Sequence, residues 1–528
     1  MPDAEFGVKF GNSTGAQMTD THFEQWHERI FSSKRKVILI ACFVFLPLLF
    51  INVRNSSDWG DDFAQYIHQA KNIVEGIPQS QTGYIYNKDF PVGGPRAYPV
   101  GFPLLLAPAW ALAGNNLYAF TFTVALCTWL LALCMTLFFL RHFRALPAII
   151  LTAVFVYNPQ VLMFMQEVMS DLPFGLVLIA LTLIYTGPGS MGFGKTIIIA
   201  VLIGFLISIK SIGLFFPMAI IADMLRIAVI RCRQCGDKPG LNLIPRLIMV
   251  AGGVGLYAIL NMLVFHLPSG GGIRDYLHIF TVHNIAGFAN VINENLATYM
   301  EALRNLFVLQ IGNIIAPGLA FACIVMAMLY FGIIQKFIKN FNFLDIIGLS
   351  YLVVLLIYPY NHGGYRFILP MGFLLLYYMA IGLKGFNPGF PVSGLAKAII
   401  TGCMVFIFLM PTIINRIRTY GNIMEGPQQK APMEAFAWIK ANTPADAVIA
   451  FAKPRALSLY AERSGFANLR DQDIIPMHVS FVNADVNYFL QSKALSDGSF
   501  MRYIRMSGDR LDHVWGNKEF DLYRRHSK

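Results

Sequence analysis

Long apolar runs separated by short polar interruptions dominate the chain from residue 37 to residue 414, and mixed patterning resumes only after them. The first run, Val37 to Val53, follows the basic triplet Lys34, Arg35 and Lys36 and lacks the short core and small-residue cleavage site of a removable leader. It reads as an uncleaved signal-anchor behind a polar tail, residues 1–36. Further runs cover Leu117–Leu140, Ala145–Met165, Leu172–Tyr185, Thr196–Ile209, Ile212–Leu225 and Leu247–Phe265. They continue through Phe307–Ile334, Phe343–Tyr358, Phe367–Leu383 and Ala398–Ile414. Measured against the roughly 17–25 residues that a crossing takes, the pattern predicts a polytopic α-helical membrane protein with about eleven (11–13) transmembrane helices. Leu104–Ala113 is too short and proline-rich to cross, and is expected to dip into the membrane or lie along it.

Three regions follow: the tail at 1–36, a transmembrane module at 37–415 with its first outer loop at 54–98, and a region at 416–528 without long apolar runs. In the last, Pro432–Ala441 predicts a helix with proline near its start, Val448–Ala452 a strand and Ser458–Arg463 a short helix. This predicts a small C-terminal α/β domain on the outer face.

Composition agrees: 56% hydrophobic, 13% charged, mean hydropathy +0.54, against roughly 25% charged residues in soluble domains. The net charge of +11 resides in short loops between spans, so it reports orientation and not a nucleic-acid partner. All strongly basic short loops fall on one side, with Arg141, His142 and Arg144, Lys195, then Arg226, Arg231 and Arg233. The acidic clusters Asp61/Asp62 and Glu167/Asp171 fall on the other. The N-terminus is therefore expected in the cytoplasm of a cell (inner or plasma) membrane protein, and the C-terminus outside.

Two motifs are discounted. Gly189 to Thr196 satisfies G-x-x-x-x-G-K-[ST] but joins two spans with no strand before it, so it reads as a connector. Cys232-x-x-Cys235 has no second pair, and His266, His278 and His283 follow no ligand spacing, so neither set reads as a metal site.

The candidate chemistry starts at Ser57–Gly76. Asp62, Tyr66 and Ala70 share one face of a predicted helix that Gly76 ends. Paired carboxylates in a low-dielectric cleft are expected to raise one another's pKa, which would suit Asp62 or Asp61 as a general base. Glu167 and Asp171, four apart, are expected on one helix face, with capping of the next span as the alternative for Asp171. Lys210 interrupts an apolar stretch at the outer turn between two spans, and an ionisable residue there is a functional candidate. Arg366 opens a span on the same face, and the two cations could hold a phosphate. Tyr66, Arg96 and Tyr98 are added as substrate-binding candidates.

The stretch DDFAQY with its terminal glycine resembles the first outer loop of GT-C glycosyltransferases, and within them the bacterial relatives of protein mannosyltransferases and aminoarabinose transferases. Tyr98-Pro-Val-Gly-Phe-Pro103, Glu167-Val-Met-Ser-Asp171-Leu-Pro, Lys210-Ser, Arg366-Phe-Ile-Leu-Pro370 and the tail AFAWIKANTPADAVIAFAKPRALSLYAERS resemble further landmarks in order. The resemblance spans about residues 37 to 465. It implies a hexosyl or pentosyl transferase that moves sugar, with inversion, from a polyprenyl-phosphate donor to a lipid, glycan or protein acceptor outside the membrane. Carried over, Asp62 is the base, Glu167 or Asp171 shapes the acceptor or metal side, and Lys210 and Arg366 meet the donor phosphate. Such enzymes occur with and without a divalent cation, and no other cofactor is implied. The alternatives are a secondary transporter or flippase, disfavoured by acids clustered outside the spans and the absence of internal repeats, and a non-catalytic glycan-assembly protein.

Overall fold

A computed structural model describes residues 33–87, 94–233, 243–265, 285–307, 316–358, 364–385, 424–467 and 473–526. His266, His278, His283, Cys235 and the run Ala398–Ile414 lie outside them. The helices are α1 (Lys34–Phe45), α2 (Asp62–Glu75), α3 (Gly101–Ala113), α4 (Leu117–Phe139), α5 (Ala145–Val156), α6 (Pro159–Gln166), α7 (Asp171–Tyr185), α8 (Phe193–Ile209), α9 (Phe215–Arg233) and α10 (Leu243–Phe265). Then come α11 (Ile285–Phe307), α12 (Ala316–Asn340), α13 (Phe343–Ile357) and α14 (Gly372–Gly385). Among the described residues, four helical stretches are long and apolar enough to cross a bilayer, or five if the bent pair α5–α6 is one span. The run Ala145–Met165, read as one span, is bent by 56° at Asn158-Pro159. Proline at the first position of α6 has no N–H to continue α5, and the Asn158 side chain caps the new start.

α2 starts at Asp62 and stops where Gly76 takes a left-handed φ of 70°, which glycine adopts at no steric cost. Its buried face, Phe63, Tyr66, Ile67 and Ala70, joins the main apolar core with Phe102 and Leu106 of α3. Gly189–Thr196 covers the end of the segment joining α7 to α8 and the first turn of α8, with no strand before it, and Lys195 Nζ donates to the Gly187 carbonyl at 3.0 Å. This fits a connector.

The C-terminal region builds α15 (Lys430–Asn442), β2 (Val448–Phe451), α16 (Pro454–Ala461), β3 (Ser464–Ala467), α17 (Ile474–Asn483), β4 (Tyr488–Ser492), α18 (Gly498–Met506), β5 (Leu511–Gly516) and β6 (Phe520–Arg525). The short helix expected at Ser458–Arg463 begins earlier, because Pro454 occupies its first position. The strands form one sheet in the order β1-β3-β2-β4-β6-β5, where β1 (Tyr84–Ile85) comes from the first loop and pairs in parallel with β3, Tyr84 opposite Gly465. Alternation along β2 sends Ile449 and Phe451 to a core with Phe436 of α15 and Leu457 of α16, and Ala450 to a core with Phe481 of α17 and Phe500 of α18. Ala456 and Leu459 of α16 reach into the main helical core, and Gln428 Oε1 accepts the Ser57 N–H at 2.8 Å. The sheet layer is thereby seated on α2 and the residues before it.

Candidate active site

α2 presents Asp62, Gln65, Tyr66 and Gln69 along one side. Gln69 holds the Tyr98 backbone at both groups, donating to its carbonyl at 2.9 Å and accepting its N–H at 3.0 Å. That fixes the Tyr98 ring against Tyr66, stacked at 4.6 Å, with Phe102 edge-on to Tyr66 at 4.8 Å. The Tyr98 hydroxyl then donates to Asp62 Oδ1 at 2.5 Å, and the Tyr66 hydroxyl meets Ser170 Oγ at 3.1 Å.

The charged groups form an alternating chain. Lys210 Nζ donates to Asp171 Oδ1 at 2.5 Å, Arg366 bridges Asp171 Oδ2 at 3.0 Å and Asp62 Oδ2 at 2.9 Å, and Arg455 reaches Asp62 Oδ1 at 3.1 Å. Local structure places each one. Lys210 sits at the break between α8 and a short 3-10 turn leading into α9, with extended backbone at φ −147°. That break is fixed from the side by α3: a Cβ at Gly101 would lie 2.6 Å from the Ser208 backbone, so only glycine allows this approach. Arg366 rides on the 3-10 turn Gly364–Phe367, and Asp171 is the first residue of α7. The Asp62 side chain keeps 22% exposure whereas Asp171 is closed off at 0%, so a substrate can reach only the former directly.

Two expectations about the carboxylates are corrected. Asp62 does not have a raised pKa: burial pushes it up, but Arg366 and then Arg455, with the Tyr98 hydrogen bond, outweigh this and hold it at about 2. Glu167 and Asp171 do not share a helix face either. Glu167 follows α6 with extended backbone (φ −90°, ψ 139°), and α7 begins only at Asp171. Glu167 is instead the carboxyl with high proton affinity: burial pushes it up to about 8, reinforced by the neighbouring Asp58 carboxylate.

Asp61 and Asp62, adjacent in sequence, face different partners. Asp61 accepts the backbone N–H groups of Arg455 at 3.2 Å and Ala456 at 3.0 Å. It thus caps the N-terminus of α16, which has no capping side chain of its own. Burial raises its pKa, against the pull of Arg455 and those N–H groups. Arg96 is exposed, and among the described residues its carbonyl accepts from Gln65 Nε2 at 2.8 Å. Sequence reasoning missed Arg455, Asp58 and Ser170. The Lys453-Pro454 step marks a helix start, but nothing in the sequence pairs Arg455 with a carboxylate 393 residues earlier.

A divalent cation would need oxygen ligands free of other partners. Both oxygens of Asp62 and of Asp171 already meet cations, and among the described residues no three His, Cys, Asp or Glu side chains are grouped to hold a metal. These residues do not fit such an ion.

No family model matches the chain, and no curated protein matches it in sequence. In structure it is similar to ArnT from Cupriavidus metallidurans bound to undecaprenyl phosphate, at 12% identity and TM-score 0.54, covering 93% of this chain and 98% of that one. It is also similar to an oligosaccharyltransferase from Archaeoglobus fulgidus tethered with an acceptor peptide, at 13% identity and TM-score 0.51, covering 88% of this chain and 69% of that one. The chain has the fold of these two proteins.

Proposed function

We propose that this protein transfers a sugar, with inversion, from a polyprenyl-phosphate carrier to an acceptor at the outer face of the membrane. The observation that carries this is the half-open Asp62 carboxylate held beside Arg366, with Lys210 one ion pair further along. In the reaction the acceptor attacks the anomeric carbon, the new C–O bond forms, and the bond to the phosphate oxygen breaks with its electron pair leaving on phosphate. A hydrolase must protonate a poor leaving group, whereas phosphate departs as a stable anion that Lys210 and Arg366 can stabilise as its charge develops. Asp62 orients the acceptor and takes its proton as the C–O bond forms. Asp61, occupied by the start of α16, is assigned a structural role, which supports Asp62 as the base.

The outer-face assignment rests on the ends of two helices. α7 runs from Asp171 at the site to Thr186, where Arg141 donates to the Leu183 carbonyl at 2.8 Å and to Thr186 Oγ1 at 3.2 Å. α8 runs back from Lys195 to Lys210. Basic residues therefore sit about 20 Å from the site along helices of this length, as the positive-inside rule requires of the cytoplasmic end. On this basis the C-terminal α/β region, seated at the site, is extracytoplasmic. The undecaprenyl phosphate bound to one structural neighbour and the acceptor peptide on the other support a lipid-phosphate donor and a lipid or peptide acceptor.

The test is Asp62→Asn in the purified full-length protein. Loss of sugar transfer by more than 10²-fold, in a protein that still folds and still retains undecaprenyl phosphate, is the expected result. Solute movement across vesicles without donor turnover would point instead to a transporter.

A further inference from the structure

Arg455 belongs to the C-terminal α/β layer, yet its side chain is only 2% exposed and its guanidinium lies inside the site. It donates from one nitrogen to Asp62 Oδ1 at 3.1 Å and to the Tyr98 hydroxyl at 3.2 Å, and from the other to the Pro95 carbonyl at 3.2 Å. Its plane lies over Tyr84 at 4.5 Å and Tyr98 at 5.1 Å. The first loop is shaped around it: a Cβ at Gly94, where φ is +87°, would come within 2.5 Å of the guanidinium. The backbone that carries Arg455 is fixed by Asp61 at the start of α16. Adjacent aspartates thus grip one residue twice, Asp61 by its backbone and Asp62 by its side chain.

We infer that Arg455 is a positioning residue for the proposed transfer: it locks the Asp62 carboxylate in place and makes seating of the α/β layer a condition of catalytic competence. This deepens the proposed function and rests on it. The geometry separates Arg455 from the phosphate cations. Lys210 and Arg366 meet at Asp171, whereas Arg455 approaches the opposite oxygen of Asp62, stacked between two tyrosines. An arginine is required there because lysine's single nitrogen cannot span Asp62 and the Pro95 carbonyl as the two guanidinium nitrogens do, and it has no plane to stack. The groups facing Arg455 are Asp61 and Asp62 of the first loop and α2, and Tyr84 and Tyr98. Removing a cation from Asp62 lets its proton affinity rise from a carboxyl now held at about 2.

The test uses full-length Arg455→Gln, Arg455→Lys, Asp62→Asn and the Asp62→Asn/Arg455→Gln double variant in detergent. Turnover is followed with whichever synthetic polyprenyl-phosphate sugar the unmodified protein consumes, and undecaprenyl phosphate serves as the binding probe. Arg455→Gln is expected to lower kcat by roughly 10–100-fold with less than threefold change in donor KM and in probe affinity. Its acid limb of kcat should move up by about one pH unit, the size expected for one lost counter-charge. Arg455→Lys should restore the acid limb but not kcat, and it carries the test alone if the glutamine variant does not fold. In the Asp62→Asn background, Arg455→Gln should add no further loss. Wild-type kcat and acid limb in Arg455→Gln would overturn the inference, and so would loss of probe binding in proportion to kcat. If Asp62→Asn keeps full turnover while Arg455→Gln still lowers it, the assigned role of Asp62 fails rather than the importance of Arg455. If the unmodified protein consumes no donor, the transfer reading fails. The Arg455–Asp62 coupling is then decided by non-additive melting shifts across the same four proteins, and additive shifts would overturn it.

Discussion

Glu167 provides a prediction that needs no knowledge of the substrate. In the unfolded chain its carboxyl titrates near 4.5, and in the folded protein burial and then Asp58 push it up to about 8. Between those values the folded state holds a proton that the unfolded state has lost, so stability falls as pH rises. The slope reaches about 1.4 kcal/mol per pH unit, with the contribution fully present below 4.5 and gone above about 8. From pH 6 to pH 8 this amounts to at most about 3 kcal/mol. Glutamine has the shape of the protonated acid and does not titrate. The melting temperature of Glu167→Gln in detergent should therefore stay level across this range where the parent protein's declines, and the gap should widen toward pH 8. Asp58→Asn removes the second cause of the high proton affinity, so its decline should finish at lower pH than the parent's. Parallel melting curves for the parent and Glu167→Gln from pH 5 to pH 9 would refute the reasoning.

Lys210→Met keeps the length of the side chain but leaves Asp171, fully closed from solvent, with Arg366 as its remaining ion-pair partner. Because Arg366 still pairs with Asp171, the cost should fall below the figure of about 3–5 kcal/mol for an orphaned buried charge, measured by thermal unfolding, together with weakened retention of undecaprenyl phosphate. Gly101→Ala places a methyl 2.6 Å from the Ser208 backbone, which cannot move aside as a side chain could. It should destabilise by about 1–3 kcal/mol and reduce transfer by displacing Lys210, whereas Gly114→Ala, with nothing within 4 Å, should leave Lys210 and transfer undisturbed and cost only the backbone strain of its φ of +59°.

What the sequence disclosed was the local part of the site. The helix from Asp62 to Glu75 with its stop at Gly76 and the break at Lys210 come from short-range patterning, which periodicity and special backbone residues report directly. What it withheld was set by distant partners. The adjacency of Asp61 and Asp62 suggested mutual repulsion, but their side chains part, one to a helix start 394 residues away and the other to two arginines. Proton affinity follows those partners and not the spacing along the chain, which is why the expected sign for Asp62 was reversed. Glu167, equally acidic in sequence, acquires the opposite behaviour because Asp58 is its close charged neighbour and burial dominates.

That reversal constrains how the proposed transfer works. A carboxylate held at about 2 cannot strip a proton from an acceptor hydroxyl in advance, because the proton would return at once. Asp62 can only receive it while the acceptor oxygen is becoming positively charged through bond formation, so proton movement is tied to departure of the phosphate. The guanidinium groups that weaken Asp62 as a base also keep it ionised and fixed, with one oxygen toward Arg366 and the other toward Tyr98 and Arg455. Rigidity and constant charge are what an oxocarbenium-like centre gains from a nearby carboxylate. On the proposed reading Asp62 acts first as a fixed negative charge and only second as a proton acceptor, and the alternating run of Lys210, Asp171, Arg366, Asp62 and Arg455 keeps it so.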